Sequence, residues 1–242
     1  MGIFSRPKRD QQTEKTTREA LKEARSGRGD GGALERMVES FRDIGIDGRL
    51  AFSSAADVAK AASKGRGKNE DRAIRRIVGS HRRGVTVGGF LTGLGGFVTL
   101  PVMLPGNVVE FYVQATRMVA AIAAVRGYDI DDEEIRTRVL ATLVGEEADD
   151  VLKNVGLGPV AGVAARQVAK RMPASPSTAV ARAIGARILR RFGLRSVRLF
   201  GKAVPGLGGI IGAWGDRRAL RRIEKAALEQ FPPQKRGKKG RR

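Results

Sequence analysis

The 242-residue chain carries 46 Lys+Arg against 25 Asp+Glu, a formal charge of +21, with no Cys, one His and one Trp. The missing cysteines exclude disulfide scaffolds, Cys-ligated zinc, iron–sulfur clusters and thiol nucleophiles, and a single His excludes any site that needs two imidazoles. Its apolar residues are mainly Ala, Val, Leu and Ile, with 32 Gly and only 5% aromatics, a composition suited to helices packed closely together.

Charge is unevenly distributed. Residues 1–83 sum to +8, residues 84–165 to −5 and residues 166–242 to +18. The basic C-terminal third is therefore expected to meet an anionic partner or the acidic middle block. The first 25 residues contain no apolar run of the kind a signal peptide needs, so the start reads as cytosolic. Gly2 does not make a myristoylation site, because Arg6 stands where Ser or Thr is wanted.

Residues 1–32 read as a flexible polar and basic tail closing on SGRGDGG. Leu34, Met37, Val38 and Phe41 then mark one face of an amphipathic helix that stops near Gly45. RLAFSSAADVAKAASKG reads as a second helix, KGRGK (64–68) as a linker, and NEDRAIRRIVGSHRR as a third helix beginning at Asn69. His81 is expected at a surface or hinge, since it has no second His to join it as a ligand.

Residues 84–109 contain no charge. The helical stretch before Pro101 is 17 residues long and rich in glycine, too short and too weakly apolar for a secure membrane span. Its glycines form four-residue ladders, Gly84/Gly88/Gly96 with Thr92 between, and Gly89/Gly93, which flatten a helix face for close packing. PVMLPGN is expected to turn the chain and Asn107 to cap a helix running to Gly127, completing a helical hairpin. On that helix Glu110, Gln114 and Arg117, at offsets 0, 4 and 7, form one polar stripe. It reads either as a functional ion pair or as a cap, with Arg117 meeting the acids of 129–134.

Asp131 and Glu134 then suggest a capping box for the next helix. Short helices separated by Pro or Gly are expected through residue 201. The acids of 131–150 lack the alternating spacing of a calcium loop, and no metal or cofactor is expected. GLGPVAG and GLGGIIG approach dinucleotide patterns without the strand such patterns require. The uncharged run 203–215, with Gly208 and Gly212, reads as a second small-residue hairpin packing on the first. PPQKRGKKGRR (232–242) closes the chain as a disordered basic tail.

GGFLTGLGGFVTLPVMLP, the helix ATRMVAAIAAVRGYDI and VPGLGGIIGAWGDRRALRRIEKAALEQF, in this order, resemble the EcsC family of bacterial proteins over roughly residues 75–231. The basic tails and Pro105 depart from the family's pattern. The resemblance implies bacterial origin, a membrane connection and attendance on a transporter or envelope process. It brings no enzymatic activity and no catalytic residue.

Arg182, Arg187, Arg190, Arg191, Arg195, Arg198 and Lys202 recur at helical spacings among apolar residues. Such a basic amphipathic helix suits the anionic cytoplasmic face of a membrane. Nucleic acid is the alternative partner, disfavoured by the lack of stacking aromatics and of any helix-turn-helix pattern. The sequence thus predicts an all-α bundle built on glycine-rich helical hairpins over 33–231. It also predicts a non-enzymatic membrane-associated protein, free to form a homo-oligomer.

Overall fold

A computed structural model describes residues 32–48, 53–64, 69–94, 96–154 and 207–234, together with Glu19, Leu157, Val180 and residues 183–185; side chains are described for 36–48, 53–64, 69–84, 109–154 and 215–234 within these. Every regular element among them is helical: α1 Gly32–Gly45, α2 Ala55–Ala62, α3 Glu70–Leu94, α4 Gly96–Val125, α5 Glu133–Thr142, a 3₁₀ turn at Gly145–Glu147, α6 Ala148–Asn154 and α7 Leu207–Gln230.

Local chemistry sets the helix boundaries. Ser54 caps α2 by accepting the Asp57 N–H at 3.1 Å, so α2 starts six residues later than the sequence pattern places it. The Asn69 side chain accepts the Arg72 N–H at 3.0 Å and opens α3 where expected. At α5 the cap is Asp132, one residue beyond the predicted Asp131; its carboxylate accepts the N–H groups of Glu134 and Ile135. Glu134 is thereby released to pair with Arg138. The long helix α4 ends on Gly127, whose φ of +90° suits a residue without Cβ. There the Tyr128 N–H returns to Ala123 O and the Gly127 N–H to Ala124 O, a Schellman closure.

The principal hairpin is formed differently from the sequence reading. The first helix of the pair ends at Leu94 and α4 begins at Gly96, running on through Pro101, Pro105 and Asn107. Proline's fixed φ is helical; each ring forfeits one N–H bond without ending the helix. Asn107 is therefore interior to α4 rather than its cap, and Gly96 opens α4 instead of extending the ladder of α3.

Three long helices make the frame. His81 meets Arg117 and Gly84 faces Gln114, so α3 and α4 are antiparallel. Arg82 pairs with Glu224 on α7, while Tyr128 packs on Phe231 at 5.3 Å, placing α7 antiparallel to α3 and parallel to α4. Buried Val113, Met118, Val119 and Ile122 on α4 form the centre, with Ile74 and Ile77 from α3 and Leu220 and Ile223 from α7. From α1, Met37, Val38 and Phe41 close one side, and the Phe41 ring stacks on Tyr112 at 5.4 Å.

Candidate functional site

The helix directions bring three charge-free segments to one end of the bundle. They are residues 84–94 of α3, residues 96–109 of α4 and residues 207–215 of α7. Charge begins just below them, with Arg82 and Arg83 on α3, Glu110 on α4, and Asp216, Arg217 and Arg218 on α7. Among the described residues no helix is long and apolar enough to cross a membrane.

Beneath this end lies a polar belt between α3 and α4. The Arg117 Nε–H donates to His81 Nε2 at 3.3 Å and its Nη2 to Gln114 Oε1 at 2.8 Å. His81 Nδ1 lies 2.8 Å from Ile77 O, so the tautomer that fits both contacts carries its proton on Nδ1 and accepts at Nε2. His81 is 3% exposed, which corrects its expected place at a surface or hinge. Burial, with the Arg117 charge assisting, pushes its pKa down to about 4. Burial also pushes the Arg117 guanidinium below its ordinary value. Glu110, on the outer side of the belt, is raised by partial burial and by the neighbouring Asp216 carboxylate.

The predicted stripe of Glu110, Gln114 and Arg117 is thus divided. Gln114 and Arg117 join His81, whereas Glu110 lies near enough to Asp216 of α7 for the two carboxylates to repel. The acids expected to meet Arg117 are engaged elsewhere. Asp131 pairs with Arg136, which also holds Asp47 at 2.6 Å, and Glu134 holds the buried Arg138 at 2.8 Å. Among the described residues no group of three or more His, Asp or Glu side chains is placed to hold a metal.

Of the predicted packing glycines, Gly84, Gly88, Gly89 and Gly93 lie on α3, Gly96 on α4, and Gly208 and Gly212 on α7. A Cβ built on Gly84 would sit 3.8 Å from Gln114 Nε2, an ordinary contact, so this position does not require glycine. The glycine that does permit a close approach is Gly45: a Cβ there would lie 2.7 Å from Thr116 Cβ and 3.1 Å from Val113 O. Its sequence signal, a glycine at the end of an amphipathic helix, reads as a simple stop. The predicted cationic set, Arg182, Arg187, Arg190, Arg191, Arg195, Arg198 and Lys202, lies outside the described residues.

At the opposite end of the bundle a groove of about 470 Å³ opens between α2, the start of α3 and the end of α4. Five alanines line it, together with charged Lys60, Arg72 and Asp129. Arg76 braces one wall by donating to Ala62 O at 3.1 Å and Lys64 O at 2.7 Å. No local sequence pattern marks this groove, because its residues come from three separate segments.

The protein family described as the EcsC protein family matches residues 57–233, well over half of the chain. The chain belongs to the EcsC family. The match extends further toward the N-terminus than the glycine-rich pieces that carry the resemblance, taking in most of α2 and all of α3. It also takes in Pro232, whose carbonyl accepts the Tyr128 hydroxyl at 2.9 Å and so fastens the end of α7 to α4. No curated protein and no solved structure matches the chain.

Proposed function

We propose that this EcsC protein works by binding rather than by catalysis, and that it attaches to the anionic cytoplasmic surface of a bacterial membrane, where it attends a transporter or envelope process. One observation carries the reading. Arg217, Arg221 and Arg222 are exposed on α7 in the two turns that follow Asp216 and the charge-free helix end, and among the described residues no carboxylate lies within ion-pair distance of them. Exposed cations without internal partners lose little on meeting an anionic lipid surface, where each contributes about 1 kcal/mol.

The test is co-sedimentation with vesicles. Wild-type protein should pellet with phosphatidylglycerol-rich vesicles, remain in solution with phosphatidylcholine vesicles, and be released as salt shortens the Debye length. The triple substitution Arg217→Gln, Arg221→Gln, Arg222→Gln should weaken binding by about two orders of magnitude, from about 1 kcal/mol per residue. Equal binding of parent and variant would remove these arginines from the mechanism. Tight binding to duplex DNA at physiological salt without vesicle binding would make nucleic acid the partner instead.

A further inference from the structure

We infer that the charge-free end of the bundle enters a single leaflet of an anionic phospholipid bilayer, pole first, and stops at its arginines. This rests on the membrane reading above but on a different observation, the common end and the lengths of three helix segments.

At 1.5 Å per residue, the segments 84–94, 96–109 and 207–215 are about 16, 21 and 14 Å long if straight. The hydrocarbon core of a bilayer is about 30 Å thick, so one leaflet contributes about 15 Å. Each segment is thus long enough to reach into one leaflet and too short to cross two. All three belong to helices, whose backbone groups are mostly satisfied within the segment, the condition hydrocarbon imposes. None carries an ionisable side chain, so entry removes no charge from water. The four-residue spacings of Gly84, Gly88, Gly89 and Gly93 on α3, and of Gly208 and Gly212 on α7, are the composition by which helices associate in lipid.

The boundary supplies charge complementarity. Arg82 and Arg83 precede the charge-free part of α3, Glu110 follows that of α4, and Asp216 with Arg217, Arg218, Arg221 and Arg222 follows that of α7; with Glu224, which holds Arg82, six arginines stand against three acids at this level. With the end in the leaflet, these arginines stand at the depth of the lipid phosphates. A second hairpin end of opposite direction, which a spanning protein would need, is absent among the described helices.

Trp214, the chain's only Trp, lies two residues before Asp216 and reports on the boundary. A reporter at the tip comes from Leu94→Trp in a Trp214→Phe chain, with Thr92→Trp as an alternative should the first variant lose helicity. Both full-length proteins are bound to phosphatidylglycerol-containing vesicles whose acyl chains are brominated at a shallow or a deep carbon. The tip indole should be quenched at least twofold more by deep than by shallow bromines, and Trp214 in the unmodified chain more by shallow ones. Protein that sediments with vesicles while its tip indole is quenched weakly at both depths, or mainly by shallow bromines, overturns insertion and leaves surface binding standing. Protein that does not sediment with these vesicles defeats the membrane reading itself, and insertion with it.

Discussion

His81 and Arg117 show how one buried side chain sets the chemistry of another. A neutral imidazole offers Arg117 an acceptor at 3.3 Å, and the same burial that makes the contact firm penalises a proton on the ring. With the folded pKa near 4 and an unfolded value near 6.5, the unfolded chain takes up the proton first. Stability from this group is therefore intact above about pH 6.5, declines as the pH falls toward 4, and levels off below that. Between pH 7 and pH 5 the loss is about 2 kcal/mol. Glu110, raised by burial and Asp216, contributes the opposite slope in both parent and variant, so a comparison cancels it. His81→Gln, which does not titrate, should show a smaller fall in its urea midpoint between pH 7 and pH 5 than the parent. Equal falls would mean that His81 is protonated in the folded state or is not buried. The offsets of Glu110, Gln114 and Arg117 put the three within two turns of one another on α4. Their division between His81 and Asp216 was not legible in the sequence, because such partners depend on the register of α3 and α7 against α4, which no local pattern specifies.

At the scale of elements, the same amino acid has opposite meanings at two contacts. Gly45 brings the end of α1 against Thr116, whose hydroxyl is turned away to Tyr112 O at 2.7 Å, leaving its methyl toward the glycine. Gly45→Ala would force a methyl into both that side chain and the Val113 carbonyl, at a cost of about 1–3 kcal/mol. Gly84→Ala meets only the tip of Gln114 at contact distance and removes a glycine from a helix, a gain of about 0.5–1 kcal/mol. Thermal unfolding should thus move the two midpoints in opposite directions, by about 2–4 °C per kcal/mol in a chain of this size. A lowered midpoint for Gly84→Ala would show that α3 and α4 approach more closely than described. Amphipathic spacing and caps located α1 and the start of α3, because both signals are local. The hairpin turn escaped the same logic: Pro101, Pro105 and Asn107 look like a break, but proline's fixed φ is compatible with a helix, and α4 runs through all three.

For the molecule as a whole, the span of the family match and the extent of the core differ. The match begins at residue 57, within α2, yet α1 packs against α4, and Met37, Val38, Phe41 and Ile44 of α1 are buried, as is Ile46 just after it. Burial of each such side chain is worth about 1.5–3 kcal/mol, so together they approach or exceed the 5–15 kcal/mol by which a domain is typically stable. Removing them would also open Tyr112, Val113 and Thr116 to water. The Arg136 contact to Asp47 at 2.6 Å adds a tie between this N-terminal part and α5. A chain of residues 57–242 should therefore lose cooperative unfolding in urea, while residues 32–242 retain the midpoint of the full chain. Phe41→Ala tests the same contact without truncation and should cost about 3–5 kcal/mol, since it removes a ring that is fully buried against Tyr112. If residues 57–242 unfold cooperatively with an unchanged midpoint, α1 is an ornament on an EcsC core that is complete without it. If cooperativity is lost, the folding unit begins some 25 residues before the family match, and vesicle binding has to be measured on the longer chain.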